Sequence, residues 1–216
     1  MTPMRGGASG DAYVTSAGAT AFNGEADGAL HDHARRQFVG RGRWYAICDL
    51  DEFHVVPGFA HFEEATRAAE RAGAAAICGR LIDRIALKGI LPRAVNPRRF
   101  LGPQFPLACD ITENISKGCS TKVLFAKSFV PIRPGHHRVS GQQVWDFTGD
   151  VHHFKWFRPT IDEQERRAIS YRHQGLYYHE ESERLLRYLG ANGKKIPLSD
   201  PLLNTRIVIP DPLYRT

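Results

Sequence analysis

Several common signatures are missing from this 216-residue chain. Its four cysteines, Cys48, Cys78, Cys109 and Cys119, form no CxxC pair and stand at no zinc-finger spacing with histidine, so structural zinc is not expected. Cys48 and Cys78 sit inside apolar runs, where a small buried thiol is the ordinary reading, and a reducing cytosol follows as the default. No apolar stretch approaches bilayer-spanning length and nothing resembles a signal peptide, so a soluble or at most peripheral cytoplasmic protein is expected. GxxxxGK[ST], GxSxG, HExxH and GxGxxG are all absent; Gly118-Cys119-Ser120-Thr121-Lys122 lacks the spacing of a phosphate loop. No internal repeat is present.

What remains is an ordinary globular composition, 42% hydrophobic and 24% charged, enough for one substantial core. A net charge of +6 and a pI near 9.3 favour anionic partners such as nucleotide diphosphates. The basic groups Arg35, Arg36, Arg41, Arg43 and Arg93, Arg98, Arg99 lack interleaved aromatics. They read as solvated faces, and nucleic acid is not an expected partner.

Residues 1–30, rich in Gly, Ala, Ser and Thr, read as a flexible N-terminal segment. A short polar helix is expected from Leu30 to Val39, then a buried parallel strand over Trp44–Cys48. From His61 to Ala72, Phe62, Ala65, Ala69 and Ala72 share a helix face opposite Glu63, Glu64, Arg67, Glu70 and Arg71, and Gly73 stops that helix. A strand at Ala76–Ile85 completes an expected βαβ unit, whose ligands would lie at the carboxyl ends of its strands. Residues 88–118, with Pro92, Pro97, Pro103 and Pro106, read as an irregular covering excursion. Strands follow at Lys122–Val130 and Val151–Phe157. Thr160 and Glu163 suggest a capping box, and a last helix over Glu180–Leu189 is stopped by Gly190. The globular domain is expected over residues 31–190, with residues 191–216 a tail on the surface.

The chemistry concentrates at Asp49-Leu50-Asp51-Glu52, where the first strand ends. Three adjacent carboxylates repel one another, and a divalent ion with phosphate oxygens would offset that repulsion. In extended backbone Asp49 and Asp51 point to the same side and address one metal–nucleotide complex. Turn formation is the commoner role of such aspartates.

Trp44-x-x-x-x-Asp49-x-Asp51-Glu52-Phe53 resembles the signature of bacterial proteins related to glycosyltransferase families 2 and 92. Gly79–Arg84, Gln104–Leu107, Lys122–Phe125 and His152-His153-Phe154-Lys155-Trp156 resemble that family's later segments, so the likeness spans about Arg35 to Leu189. It implies an α/β fold of GT-A type, a mixed sheet flanked by helices, with a nucleotide-sugar donor, a glycan or lipid-linked acceptor and a Mn2+ or Mg2+ ion. Carried over by residue, Asp51 binds the metal, Asp49 contacts ribose or metal, and Glu52 orients the site or the acceptor. His152 or His153 completes the metal shell, His152 being the assigned ligand and His136-His137 the rival pair. Lys155 meets the diphosphate.

An inverting transferase also needs a carboxylate base. Asp83 is preferred to Asp110 and Glu113, although a salt bridge from Asp83 to Arg80 or Arg84 is its ordinary explanation. A GT-A domain carries a βαβα nucleotide-binding half before its DxD strand, and only about forty residues precede Trp44, so either a truncated or mis-started chain or an incomplete donor site is expected. A non-catalytic remnant that binds glycan or a partner, and a metal-dependent phosphoester hydrolase, are the alternatives.

Overall fold

A computed structural model describes residues 3–6, 10–13, 24–96, 98–145 and 148–208, with side-chain surroundings from residue 29 onward apart from residue 134. Near the N-terminus β1 (Pro3–Gly6) and β2 (Gly10–Tyr13) pair as an antiparallel hairpin, and helix α1 (Gly24–Phe38) begins several residues before the expected start. The rest of the segment read as flexible lies outside the described residues. The main sheet then takes β3 (Trp44–Ala46), β4 (Glu52–Val55), β5 (Ala76–Ile85), β6 (Leu107–Cys109), β7 (Thr121–Lys127), β8 (Gly149–His153) and β9 (Arg206–Ile207). Helices α2 (Phe62–Arg71), α3 (Leu101–Gln104), α4 (Pro159–His173) and α5 (His179–Ala191) complete the chain. The architecture is mixed α/β, a curled mixed sheet flanked by helices.

Strand β5 organises the sheet. Along one edge β7 pairs antiparallel with its first half and β6 with its second half, separated by a single π-helical turn at Thr112–Ser116. Along the other edge β8 runs parallel, and β4 lies antiparallel beyond β8. Strand β3 borders β7 on the far side. Only residues 47–51 connect β3, at one margin, to β4, at the other, so the sheet must curl to bring those margins together. Gly79 and Gly149 stand in register at the β5–β8 contact. A Cβ on Gly79 would lie 2.4 Å from Leu124 Cδ1 and 2.8 Å from the Gly149 carbonyl oxygen, which explains why side chains are missing from both positions.

Several expectations are corrected here. Strand, helix and strand do occur in the order of a βαβ unit, but β7 lies between β3 and β5 and β4 is added to the connection, so the two are not parallel neighbours. Trp44–Cys48 is the margin of the sheet rather than a buried strand, and Cys48 is exposed. Of the apolar face expected on α2, Ala65 and Ala69 are buried, while Phe62 and Ala72 reach solvent. Gly73 does end that helix, with φ +74°. Helix α4 has no side-chain cap, because the Thr160 hydroxyl donates to the Lys155 carbonyl instead. Helix α5 continues through Gly190. Beyond it, Ile196 and Leu203 are fully buried beside Ile85, Trp156 and Leu185. That segment is therefore part of the core, its apolar residues covering what α5 leaves open.

Candidate functional site

Register assembles the site. Glu52, His153 and Asp83 stand opposite one another across β4, β8 and β5, so their side chains share one face of the sheet. Phe53, His152 and Ile82 form the next row and face the other way. His153 Nε2 lies 3.2 Å from Asp51 Oδ2, and its Nδ1 lies 3.8 Å from Asp83 Oδ1. One imidazole thus stands between two carboxylates.

The aspartates occupy a turn rather than an extended segment. The Glu52 amide donates to the Asp49 carbonyl at 3.0 Å, and Leu50 at the tip is 96% exposed. A four-residue reversal sends Asp49 and Asp51 to different partners, which corrects the expectation of a shared direction. Asp49 Oδ2 accepts from Lys122 Nζ at 2.6 Å. Glu52, its side chain only 2% exposed, lies with Oε1 2.9 Å from the same ammonium, as an ion pair rather than a directed hydrogen bond. Burial would raise the Glu52 carboxyl, but His54 and Lys122 outweigh it and hold it far below the ordinary range. Asp51 shows the same contest: burial raises it, and the hydrogen bond and charge of His153 bring it below its usual value. Lys122 loses by desolvation and gains more from Glu52 and Asp49, so its ammonium is held above the normal lysine value. Mutual repulsion among the three carboxylates is therefore relieved by Lys122 and His153.

Asp83 is 1% exposed. It accepts from the Thr112 amide at 2.6 Å, the Thr112 hydroxyl at 2.9 Å and Trp156 Nε1 at 2.7 Å. Neither Arg80 nor Arg84 reaches it. Arg80 pairs with Asp110 at 2.9 Å and Glu113 at 3.4 Å, and Arg84 donates to the Phe105 carbonyl and contacts His152 Nδ1 at 3.3 Å. Asp110 and Glu113 thus belong to a separate ionic group. His152, the assigned metal ligand, is turned away from the carboxylates; burial first, then Arg84 and Arg206, pushes its pKa down to about 4. His153 occupies the place that His152 was expected to take.

The other histidines divide. His136 is buried against His31, ring centroids 4.1 Å apart, beside α1. The His137 Nδ1 lies 2.5 Å from the Thr121 carbonyl, next to Lys122. Lys155, expected at the diphosphate, lines a polar cavity of about 80 Å³ with Thr112, Gln164, Arg167, Tyr178 and Glu181. Its ammonium is 5.0 Å above the Trp156 ring, and burial pushes its pKa down. Asp49, Asp51 and His153 do not line that cavity.

Lys122, Thr112 and Trp156 escaped the sequence reading as parts of the site. The available signal for Lys122 was a lysine inside the apolar alternation of β7, since a lysine at a buried strand position requires an anion. Thr112 and Trp156 offered none, because their partner Asp83 is nearly thirty residues from one and over seventy from the other.

Asp51 and His153 provide an oxygen and a nitrogen donor on a half-exposed edge, a set suited to Mn2+ or Mg2+ with solvent or phosphate oxygens in the remaining positions. The buried His153 Nδ1 has no hydrogen-bond partner among the described residues, and Asp83 stands behind it where metal-bound histidines usually find a carboxylate. Among the described residues no helix is long and apolar enough to cross a membrane. Comparison with protein-family models, with curated proteins and with solved structures gives no match in any of the three.

Proposed function

We propose that the edge formed by Asp51, His153 and Asp83 is the divalent-metal and nucleotide-sugar site of a glycosyltransferase-like protein of GT-A type. The observation that carries this reading is the 3.2 Å approach of His153 Nε2 to Asp51 Oδ2, since it joins the acidic turn to a histidine from a strand about a hundred residues later. Mn2+ or Mg2+, when bound, supplies Lewis-acid stabilisation of a departing diphosphate.

The chain's own groups then have distinct tasks. Asp51 and His153 hold the cation, and Asp83, fixed by Thr112 and Trp156, stands 3.8 Å behind Nδ1 as a negative charge that favours a proton there. Lys122 ties Asp49 and Glu52 together, which sets the turn and leaves Asp49 half exposed toward a ribose or the metal. Asp83, enclosed and engaged by three donors, serves as a positioning residue in this reading. Glu52 shares that role. Lys155 neutralises phosphate only if the donor reaches the cavity behind Thr112. The acceptor, glycan or lipid-linked, approaches from the exposed side of the turn.

A binding protein without catalysis is the second reading, favoured by Lys122, whose ammonium itself neutralises Asp49 and Glu52. Thermal melting separates the two. Mn2+ with uridine or guanosine diphosphate should raise the melting temperature of the wild type, because a ligand selective for the native state stabilises it. The shift should vanish in Asp51→Asn. An absence of any shift with every nucleoside diphosphate would favour the binding protein.

A further inference from the structure

We propose that Cys48, Glu52 and His54 form a second metal site, selective for a zinc-class ion, on the strand side of the acidic turn. Cys48 Sγ, a Glu52 carboxylate oxygen and a His54 ring nitrogen all lie within 4.8 Å of one another. Around a tetrahedral ion with ligand bonds of about 2.0–2.3 Å, neighbouring donor atoms are about 3.3–3.8 Å apart. The pair His54 Nε2 and Glu52 Oε2, at 3.6 Å, already has that spacing. The Cys48 thiol donates to the Glu52 carbonyl at 2.9 Å and lies 3.3 Å from the Asp49 carbonyl, contacts it would exchange for the ion.

A second observation points to a ligand. The His54 side chain is 7% exposed, and its buried Nε2 faces Glu52 Oε2 at 3.6 Å, just beyond hydrogen-bond length, with no other hydrogen-bond partner among the described residues. At that spacing the nitrogen and the carboxylate are too far apart for a good direct hydrogen bond and well placed to share an ion between them. Glu52 divides its oxygens: Oε1 stays with Lys122 and Oε2 turns to His54. Burial, then Glu52 and Asp49, pushes the pKa of the Cys48 thiol up to about 11; once a metal displaces that proton, the negative charges of Cys48, Glu52 and Asp49 exceed the positive charge of Lys122 by an amount that a divalent cation cancels. The thiol proton leaves to solvent as the sulfur–metal bond forms. Thiolate and imidazole donors favour zinc or cobalt over the manganese and magnesium suited to Asp51 and His153. The ion would clamp β4 to the start of the turn, fixing the backbone that presents Asp49 and Asp51.

Cobalt titration of the metal-free full chain tests this. One equivalent of Co2+ should produce a thiolate-to-cobalt charge-transfer band in the near ultraviolet, and Zn2+ should displace it. The band should be lost in Cys48→Ser, persist in Cys119→Ser and in Asp51→Asn, and require on the order of 10–100-fold more cobalt in His54→Ala. In the wild type, Zn2+ should protect Cys48 from alkylation, a readout that needs no variant to fold. Absence of the band, its survival in Cys48→Ser, or alkylation of Cys48 at an unchanged rate in saturating Zn2+ would overturn the proposal. Because Asp51→Asn leaves this band intact, failure here is distinguishable from failure of the sugar-transfer reading.

Discussion

Asp83 and Asp51 stand on opposite sides of the same imidazole, yet their surroundings assign them different work. Asp83 is enclosed and saturated by the Thr112 amide, the Thr112 hydroxyl and Trp156. Asp51 is nearly half exposed, with His153 as its one side-chain partner among the described residues. A carboxylate whose lone pairs are filled by buried donors anchors structure, whereas one with lone pairs facing solvent can accept a cation. The same residue type therefore serves stability at one end of the row and ligand binding at the other.

The largest effect expected from this contrast is on folding. Asp83→Ala removes a buried charge and strands the Thr112 amide and the Trp156 indole, so it should cost about 3–5 kcal/mol in denaturant unfolding. A cost below about 1 kcal/mol would mean that Asp83 is no anchor. Lys122→Met should come next, at roughly 2–4 kcal/mol, because Glu52 then keeps a buried charge without its ammonium partner. The double variant Lys122→Met with Glu52→Gln should recover much of that loss, and strictly additive losses would break the assignment.

A smaller effect concerns pH. His152 titrates near 4 in the folded chain against an ordinary 6.5, so the unfolded chain binds more protons between those values. Its contribution to stability is complete above pH 6.5 and is lost as pH falls toward 4. His152→Gln should flatten that part of the stability profile, measured by melting across the range. An identical slope in the variant would place the dependence elsewhere. Asp51→Asn should change stability least, within about 0.5 kcal/mol, while abolishing metal-dependent nucleotide binding.

Element positions were largely legible in the sequence, and their pairing was not. Helix α2 and strand β5 follow from periodicity and from Gly73, which a left-handed backbone favours at a helix end. Strand direction depends on contacts distant in sequence, and no local pattern could show that β7 separates β3 from β5. The acidic turn was found because four charged or tip residues interrupt an apolar run, but its conformation was misread as extended. His152 and His153 looked equivalent as a doublet. Only the register of β8 against β4 and β5 decides between them, since neighbouring strand residues face opposite ways. Ile196 and Leu203 were misplaced because proline-rich spacing hides their burial, which is set by the space left between α5 and β6.

The pairing of Asp51 with His153 is tested most directly by titrating Mn2+ into the protein in the presence of uridine diphosphate, with free Mn2+ followed by electron paramagnetic resonance. Asp51→Asn and His153→Gln should each weaken Mn2+ binding on the order of tenfold or more, and His152→Gln should leave it unchanged. Equal Mn2+ binding in all three variants and the wild type would contradict the account, as would a loss confined to His152→Gln.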